Sequence, residues 1–461
     1  MIKEYVKSLK NKEFTATEKI RFYENKIKSD KHNAVLEFFP SAYELAKVVD
    51  DKIAKGAKLG CLAGVPIIIK DNILYDGHIA SAGSKMLEKF VAPYSSTIVE
   101  KLLAEDAIII GRANMDEFAM GTTGENSAFG ATLNALSDKC VAGGSSSGSA
   151  VAVAAGLCLG AIGTDTGGSV RVPAVNNGMF GIKPTYATVS RYGIVAFASG
   201  LEQAGAICKT AEDTELLQSV ISGKDNFDGT LLNTPFNKAN FDITTLRIGV
   251  IKEIENYKDI IQDYDKHHKL LEWFKTAGAT IKEISMPHLD LCLPTYYIIA
   301  TAEATSNLGR FDGVKYTSHD TNLTDTRTKF FGEEVKRRIM LGNFVLSSGY
   351  FDAYYGKAKK VQSAVRSVFV KAFDDVDCII IPVTLSDANK LGEKTTNPVE
   401  MYLIDLFTVS ANIAGVPALA VPFEKGKKGL PIGFQILGKH FDDKLLFEIA
   451  KYFEINGGAK C

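Results

Sequence analysis

The sequence predicts an α/β fold with a largely buried β-sheet. Short apolar runs such as CIIIPVT and PALAVPF are typical of strands that are covered on both faces. Helical stretches alternate with these runs, which is the order of elements expected for an α/β protein. The chain has 461 residues, of which 46% are hydrophobic, so it can bury a large core without disulfides or metal ions.

The first elements follow from local patterns. Thr15 and Glu18 are spaced as a capping box, which predicts an amphipathic helix that runs to about Ile27. Residues 64–74, GVPIIIKDNIL, predict an apolar strand that ends in polar residues. Residues 107–120, AIIIGRANMDEFAM, predict a strand, a glycine turn and the start of a helix.

Later segments predict the rest of the sheet and its helices. Residues 150–170, AVAVAAGLCLGAIGTDTGGSV, predict a buried helix, a strand and a glycine-rich turn. The runs LRIGVI, CIIIPVT and PALAVPF predict fully buried strands. The charged stretch FGEEVKRRIMLGNFVLSSGYFDAYYGKAKKVQ predicts mostly helix.

No repeat or long linker divides the chain, so we expect a single domain over residues 1–461. Within it we expect N-terminal helices over about residues 1–60. A core that carries the chemistry is expected over about 61–225 and 367–461, with a helical elaboration over about 226–366.

The overall charge excludes a generally basic surface. The chain carries 53 basic and 54 acidic residues, a net charge of −1. This balance does not predict broad binding to nucleic acid or to a membrane. If the protein acts in a nucleic-acid pathway, we expect another chain to supply most of the phosphate contacts.

Cysteine usage and the absence of targeting patterns predict a cytoplasmic protein. The cysteines are scattered and never spaced as C-x-x-C, which predicts reduced thiols rather than a disulfide framework or a zinc cluster. The N-terminal residues contain no apolar segment of a secretory signal, and the longest apolar run, residues 150–163, is too short to span a bilayer. The seven cysteines are Cys61, Cys140, Cys158, Cys208, Cys292, Cys378 and Cys461.

The run GGSSSGS, residues 143–149, raises the question of which serine does chemistry. Gly144 to Gly148 match the G-x-S-x-G pattern, which would make Ser146 a nucleophile at a sharp strand-to-helix turn. The preceding residues NALSDKCVA form a poor buried strand, so a plain loop leading into a helix is the stronger interpretation. No Gly-Lys-Ser/Thr follows, which disfavours a phosphate-binding loop.

The histidines do not suit a serine hydrolase, because none lies in a glycine-rich or strand-end context and no pair has metal-ligand spacing. A base other than histidine is therefore expected. Lys70 ends an apolar strand, and burial would leave its amine neutral near pH 7, although a lysine that reaches solvent from the strand end is the alternative. The seven histidines are His32, His78, His267, His268, His288, His319 and His440.

The segment GTDTGGSVR, residues 163–171, predicts a turn in which several backbone N–H groups point toward one centre. Such a nest stabilises the oxyanion of an acyl-transfer reaction, and Ser169 would lie beside it. A structural turn in which Ser169 caps a helix is an equally open interpretation.

Lys70, GGSSSGS and GTDTGGSVR together resemble the amidase signature family, and the resemblance extends over nearly the whole chain, including GVPALAVP. It implies the amidase-signature fold, a large mixed and mostly buried β-sheet with helices on both faces. It also implies a Ser–cis-Ser–Lys triad in which Ser169 is the nucleophile, Ser145 the bridging serine after a cis peptide and Lys70 the base. The N–H groups of Thr166, Gly167, Gly168 and Ser169 would form the oxyanion hole, with Asp165 and Arg171 as structural support.

Within the family, the segments NMDEFAMG, RFDG, FGEEVKRRIMLG, LSSGYFDAYY and MYLIDLFT resemble the glutamine-hydrolysing A subunits of aminoacyl-tRNA amidotransferases. This resemblance implies that Arg338 binds the α-carboxylate of glutamine and Asp405 its α-ammonium, with Tyr296 close by. Lys336 and Arg337, beside Arg338, are better interpreted as a solvated helix face.

The same resemblance implies partners. Ammonia would pass to a B subunit that amidates ATP-activated glutamate on tRNA(Gln), or aspartate on tRNA(Asn), and a small C subunit would wrap the interface. No cofactor is expected in this chain, and ATP and Mg²⁺ are expected in the site of the partner, which would also hold most of the tRNA.

Several positions depart from the usual family pattern, namely Thr122, Thr123, Ser147, Val172 and the segment YTSH after RFDGVK. Two other functions also stay open. A free-standing amidase would use the same triad on a small amide but would not need Arg338 and Asp405. A catalytically dead scaffold is disfavoured by the intact Lys70, Ser145 and Ser169.

Overall fold

A computed structural model of the chain describes residues 1–232, 236, 240–316, 320, 322–393 and 403–459. Six of the residues singled out above lie outside this part of the chain and are not discussed further: Thr317, Ser318 and His319 of YTSH, Met401 and Tyr402 of MYLIDLFT, and Cys461. The six other cysteines are free thiols.

The predicted α/β fold is confirmed. An eleven-stranded mixed sheet forms the centre, with the strand order β1-β3-β2-β6-β8-β7-β12-β13-β11-β9-β10, while β4 and β5 pair separately. The strands are β1 Val35–Phe38, β2 Pro66–Lys70, β3 Ile108–Ala113, β4 Leu133–Asn134, β5 Ser137–Val141, β6 Gly160–Asp165, β7 Phe180–Lys183, β8 Gln203–Cys208, β9 Arg247–Ile251, β10 Thr280–Ile284, β11 Cys378–Pro382, β12 Ala418–Lys425 and β13 Pro431–Gly438.

Helices connect and cover these strands. Thr15 caps α2 with the full capping box that its spacing predicts, which fixes the start of that helix. The α-helices in the described part of the chain are α1 Ile2–Lys10, α2 Ala16–Lys28, α3 Ala42–Ala54, α4 Thr97–Ala104, α5 Ser147–Ala154, α6 Arg171–Asn176, α7 Ala211–Ile221, α8 Tyr264–Thr276, α9 Cys292–Leu308, α10 Leu323–Phe330, α11 Glu333–Leu346, α12 Lys357–Asp375, α13 Val409–Ala414 and α14 Asp443–Ile455.

Both faces of the central strands are buried, as their apolar sequences predict, whereas the edge strands β1 and β10 are partly exposed. Successive side chains of a strand point to opposite faces. In β11, Cys378 and Ile380 pack into one hydrophobic cluster, whereas Ile379 and Ile381 pack into the other. The sheet therefore separates two layers of core, each covered by helices.

Two local predictions need correction. Gly111 does not form a turn but lies within β3, where it pairs with Ile68 of β2 and Phe38 of β1. A Cβ atom at Gly111 would approach the backbone oxygen of Glu37 to 2.4 Å, so the glycine serves close strand packing. The segment 226–366, expected as a helical elaboration, contains β9 where LRIGVI predicts a strand, and it also supplies the less apolar β10, which was not predicted.

The chemically interesting residues meet at one end of the sheet. The parallel strands β2 and β6 end in Lys70 and Asp165, and the antiparallel strand β8 begins at the same end. The loop that precedes α5 lies against these ends through the serine cluster. In the described residues, no helix combines the length and apolar character needed to cross a membrane.

Candidate active site

Lys70 is completely buried and does not reach solvent. Its Nζ lies 2.8 Å from Ser145 Oγ and 2.9 Å from Thr164 Oγ1, and it donates a longer bond of 3.3 Å to the backbone oxygen of Thr164. Asn72, two residues further along, donates to the same Thr164 hydroxyl at 3.1 Å. The end of β2 therefore holds the amine against the serine loop.

The electrostatic surroundings of Lys70 suit a base. Burial lowers the pKa of its amine to about 7, against the opposing effect of the carboxylates of Glu202, Asp116 and Asp165. A lysine with such a pKa is partly neutral near pH 7, and a neutral amine can accept a proton.

The peptide bond between Gly144 and Ser145 is cis. The flanking backbone is held on both sides: Gly144 N–H donates to the oxygen of Thr122 at 2.8 Å, and Asp116 N–H donates to the oxygen of Ser145 at 3.2 Å. A Cβ atom at Gly144 would lie 1.9 Å from Asp116 Oδ2, so only glycine fits there. These contacts direct the Ser145 hydroxyl toward Lys70.

The other serines of the cluster have structural partners. Ser146 Oγ donates to the oxygen of Thr164 at 3.1 Å and accepts the N–H of Thr164 at 3.2 Å, which ties it to β6. Ser147 donates to Thr132, and Ser149 donates to the backbone oxygen of Ile162. The hydroxyl of Ser146, which the G-x-S-x-G pattern nominated, is thus fully engaged with backbone.

Ser169 lies in the turn after β6 and is 7% exposed. Its backbone oxygen accepts the N–H of Ser146 at 3.0 Å, so this turn is joined directly to the serine loop. The hydrogen bonds of the described residues leave the N–H groups of Thr166, Gly167 and Ser169 without a partner. Three donors are therefore available around this turn.

Gly168 differs from the expectation that its N–H belongs to an oxyanion hole. That N–H donates to Asp165 Oδ1 at 2.9 Å, because the carboxylate folds back over the turn. Gly168 has a φ of +134°, a conformation that favours glycine. Its contribution is thus to the shape of the turn.

Asp165 and Arg171 form a fully buried, bidentate ion pair with both N···O distances at 3.0 Å. This pairing holds the pKa of Asp165 well below its usual range despite burial. Asp165 also accepts the N–H of Val170 at 3.1 Å. The pair holds the turn that carries Ser169.

Arg171 is also held by three groups from the C-terminal part of the chain. It donates to the backbone oxygen of Thr408 at 2.9 Å and to Gln435 Oε1 and Asn412 Oδ1, each at 2.6 Å. Thr408 Oγ1 in turn donates to the oxygen of Gly167 at 2.5 Å. These residues lie more than 230 positions after Arg171, so no local pattern reveals them.

The three residues expected to bind substrate come together beside this turn. A Cβ atom at Gly167 would meet the ring of Tyr296 at 2.6 Å, so Tyr296 packs on the turn itself. Arg338 and Asp405 are buried, and both contact Tyr297: the guanidinium carbon lies 5.4 Å from the ring centroid, and the hydroxyl donates to Asp405 Oδ2 at 3.0 Å. Tyr297 is the bridging residue that sequence reasoning missed.

The buried side chains around Tyr297 carry charges of opposite sign. Burial raises the pKa of Asp405 to about 7, while the positive charge of Arg338 acts to lower it. Arg338 Nε donates to Glu334 Oε1 at 2.8 Å, one turn earlier on α11. Arg337 also pairs with Glu334, but its side chain is 42% exposed, as expected for a solvated position.

The departures from the family pattern are accommodated in the structure. Thr122 and Thr123 accept the N–H groups of Gly144 and Gly143 through their backbone oxygens, so the contact is independent of the side chain. Val172 packs in a small apolar cluster with Val175, Val383 and Ala420. None of these three positions disturbs the serine loop or the turn.

Three of the histidines that the structure describes have polar partners away from the serine cluster. His32 pairs with Asp30, His78 with Ser41, and His440 with the backbone oxygen of Ala414. Within the described ranges, no three His, Cys, Asp or Glu side chains are grouped so as to hold a metal ion. Lys70 is thus the basic group that contacts the serine cluster.

Comparisons with known proteins agree with this geometry. A family model described as Amidase matches residues 18–447. The chain is 44% identical to the A subunit of the glutamyl-tRNA(Gln) amidotransferase of Caldanaerobacter subterraneus, over 97% of this chain and 94% of the relative.

Two solved structures are similar in fold. The A subunit of the glutamyl-tRNA(Gln) amidotransferase of Thermotoga maritima is 36% identical with a TM-score of 0.80, over 96% of this chain and 92% of that one. The native peptide amidase of Stenotrophomonas maltophilia is 25% identical with a TM-score of 0.83, over 100% of this chain and 97% of that one. The chain therefore belongs to the amidase family.

Proposed function

We propose that the protein is the glutaminase subunit of a tRNA-dependent amidotransferase and releases ammonia from glutamine through Ser169, Ser145 and Lys70. The observation that carries the proposal is the buried contact between Lys70 and Ser145, at a serine loop that is joined to the Ser169 turn. The similarity to the A subunits of amidotransferases supplies the choice of glutamine and of the pathway.

In the first half-reaction, Ser169 Oγ attacks the side-chain amide carbon of glutamine. The proton of Ser169 passes to Ser145, which gives its own proton to Lys70. The oxyanion is stabilised by the N–H groups of Thr166, Gly167 and Ser169. When the C–N bond breaks, the proton returns through Ser145 to the leaving nitrogen, so ammonia leaves and a γ-glutamyl ester remains on Ser169.

In the second half-reaction, water attacks the ester. The same relay takes a proton from this water and returns one to Ser169 as the C–O bond of the ester breaks. The products are glutamate and the free enzyme. The serines and the lysine thus end each cycle in their starting states.

Substrate selection follows from the charges beside the turn. Free glutamine carries an α-carboxylate and an α-ammonium, which need a cation and an anion in the pocket. Arg338 and Asp405 are the buried pair of opposite charge next to Tyr296. We assign the carboxylate to Arg338 and the ammonium to Asp405.

The released ammonia would be used by partner subunits. A B subunit would hold ATP, Mg²⁺ and most of the tRNA, and would convert Glu-tRNA(Gln) to Gln-tRNA(Gln), or Asp-tRNA(Asn) to Asn-tRNA(Asn). A C subunit would join the two. The net charge of −1 is consistent with tRNA contacts made mainly by the partner.

The test is made with the assembled amidotransferase. Wild-type enzyme should convert Glu-tRNA(Gln) with either glutamine or ammonium as nitrogen donor. Ser169→Ala should abolish the glutamine-dependent reaction and leave the ammonium-dependent reaction intact, because the partner site is untouched. Loss of both reactions, or retention of both, would contradict the assignment.

A free-standing amidase is the second candidate, favoured by the similarity to peptide amidase. It would hydrolyse a small amide without partners. The same experiment separates the two functions. Faster hydrolysis of neutral amides than of glutamine, by a chain that does not assemble with a B subunit, supports the free-standing amidase.

A further inference from the structure

We propose that Glu202 is a positioning residue, the buried counter-charge that stabilises the protonated form of Lys70 during the proton relay. The proposal rests on the proposed function, in which Lys70 is the base. Glu202 belongs to no motif of the sequence analysis, and the relay described above does not use it.

The sheet places Glu202 at the level of the lysine. Glu202 immediately precedes β8, whose first residue, Gln203, pairs with Asp165 of β6. Lys70 ends β2 on the other side of β6, and its amine reaches across to Thr164. Neighbouring strands are about 4.8 Å apart. Lys70 and Glu202 therefore lie on either side of the end of β6. Both are buried.

The carboxylate of Glu202 is only half satisfied. Its Oε2 accepts the N–H of Phe197 at 3.3 Å, but its Oε1 is buried without a hydrogen-bond partner in the described part of the chain. Such an atom is costly in a protein interior and needs an explanation. A positive charge that appears on Lys70 during the reaction provides one.

The other two carboxylates near Lys70 already have partners. Asp165 is neutralised by its bidentate pair with Arg171. Asp116 accepts the N–H groups of Gly124 and Asn126 with its two oxygens. Glu202 also acts to raise the pKa of Lys70, and its Oε1 has no such donor among the described residues.

The surroundings of Glu202 leave its charge adjustable. Burial raises its pKa to about 7, Lys70 and Arg191 act to lower it, and Glu303 acts to raise it. Burial also brings the pKa of Lys70 to about 7. Each group acts on the pKa of the other, so the charge of each depends on the charge of the other.

The test is the pH dependence of glutamine hydrolysis by the assembled enzyme, with Glu202→Gln as the variant. Glutamine keeps the shape and the acceptor for Phe197 but removes the charge. Without that charge the pKa of Lys70 falls, so the acid limb of kcat, measured at saturating glutamine where Asp405 is already paired with the substrate ammonium, should move to lower pH by about one unit. The plateau rate should fall by at most about tenfold, because Lys70 becomes a weaker base by about one pKa unit.

Glu117→Gln is the matched control. Glu117 is also buried and also has a pKa raised to about 7, but its carboxylate accepts from Ser84 and from the N–H of Gly332. Its variant should keep the acid limb of the wild type. A merely structural role of Glu202 would lower activity at every pH without moving the limb.

Lys70→Met tests the proposed function separately. If Lys70→Met is inactive and the acid limb of Glu202→Gln is unmoved or lies at higher pH, the role of Glu202 is overturned and the proposed function stands. If Lys70→Met keeps its glutaminase activity, the proposed function itself fails. If Glu202→Gln does not fold, Glu202→Asp decides. Aspartate keeps the negative charge, so the acid limb of Glu202→Asp should stay at the wild-type pH. An acid limb about one pH unit lower in this variant overturns the proposal.

Discussion

The amine of Lys70 lies 2.8 Å from the hydroxyl of Ser145, and both residues are completely buried although 75 positions separate them in the chain. Burial matters because a solvated lysine would be protonated and could not accept a proton. The same contact links the end of a core strand to the loop that is joined to Ser169. The predictions below follow from this link.

Replacing Lys70 by methionine should lower glutamine hydrolysis by about a thousandfold, because the relay then has no final acceptor. Ammonium-dependent amidation by the assembled enzyme should persist. Lys183→Met is the control, since Lys183 is equally buried, has a pKa also lowered to about 7 and donates to the backbone oxygen of Pro184 at 2.7 Å. If both variants lose a comparable fraction of their glutaminase activity, the loss comes from replacing a buried lysine and not from breaking the relay.

Glutamine hydrolysis should depend on pH with an acid limb near pH 7. The pKa of Lys70 lies below the ordinary lysine value, so the amine is neutral above about pH 7 and becomes protonated as the pH falls. Activity should therefore fall at least about tenfold per pH unit below the limb, because Asp405, whose pKa is also raised to about 7, loses its charge in the same range. Steady-state kcat/KM between about pH 5.5 and pH 9.5 measures it. A flat profile across this range would argue against a neutral lysine as the base.

Arg338→Ala should raise KM for glutamine about 10- to 100-fold, because a charge-assisted hydrogen bond to the α-carboxylate is lost. Conversion of Glu-tRNA(Gln) with ammonium should be unchanged. Arg337→Ala is the neighbouring control, with a side chain that is 42% exposed. If the ammonium-dependent reaction of Arg338→Ala also falls, Arg338 is structural.

Asp165→Asn should reduce the free energy of unfolding by about 3–5 kcal/mol, because it leaves the guanidinium of Arg171 buried without its counter-charge. Urea unfolding of the isolated chain measures this change. Asp377→Asn is the surface counterpart, since Asp377 and Arg247 form a pair that is 30% and 46% exposed. That variant should lose at most about 1 kcal/mol. Equal losses would mean that the buried pair does not support the turn.

Local patterns predicted much of the fold because they report local physics. Short, β-branched apolar runs such as residues 378–382 favour strands that are buried on both faces, and Thr15 and Glu18 form hydrogen bonds that cap the start of their own helix. Gly111 was misinterpreted because a glycine that permits close strand packing looks the same in sequence as one that permits a turn.

The candidate site was predictable only where chemistry is concentrated in short motifs. Lys70, GGSSSGS and GTDTGGSVR can be identified from the sequence, but their contacts require the fold. Tyr297 and Glu202 carry no motif, since their surroundings come from strands and helices that lie far apart in the chain. The engagement of the Gly168 N–H by Asp165 likewise depends on a side-chain direction that spacing does not reveal.

The central claim, that Ser169 rather than Ser146 or Ser145 attacks the amide, is tested most directly by covalent labelling. The assembled enzyme is incubated with an electrophilic glutamine analogue, and the modified residue is identified by peptide mass spectrometry. The account predicts modification at Ser169, with the same site but slower labelling in Ser145→Ala. Modification at Ser146 or Ser145, or full labelling of a Ser169→Ala enzyme, would contradict it.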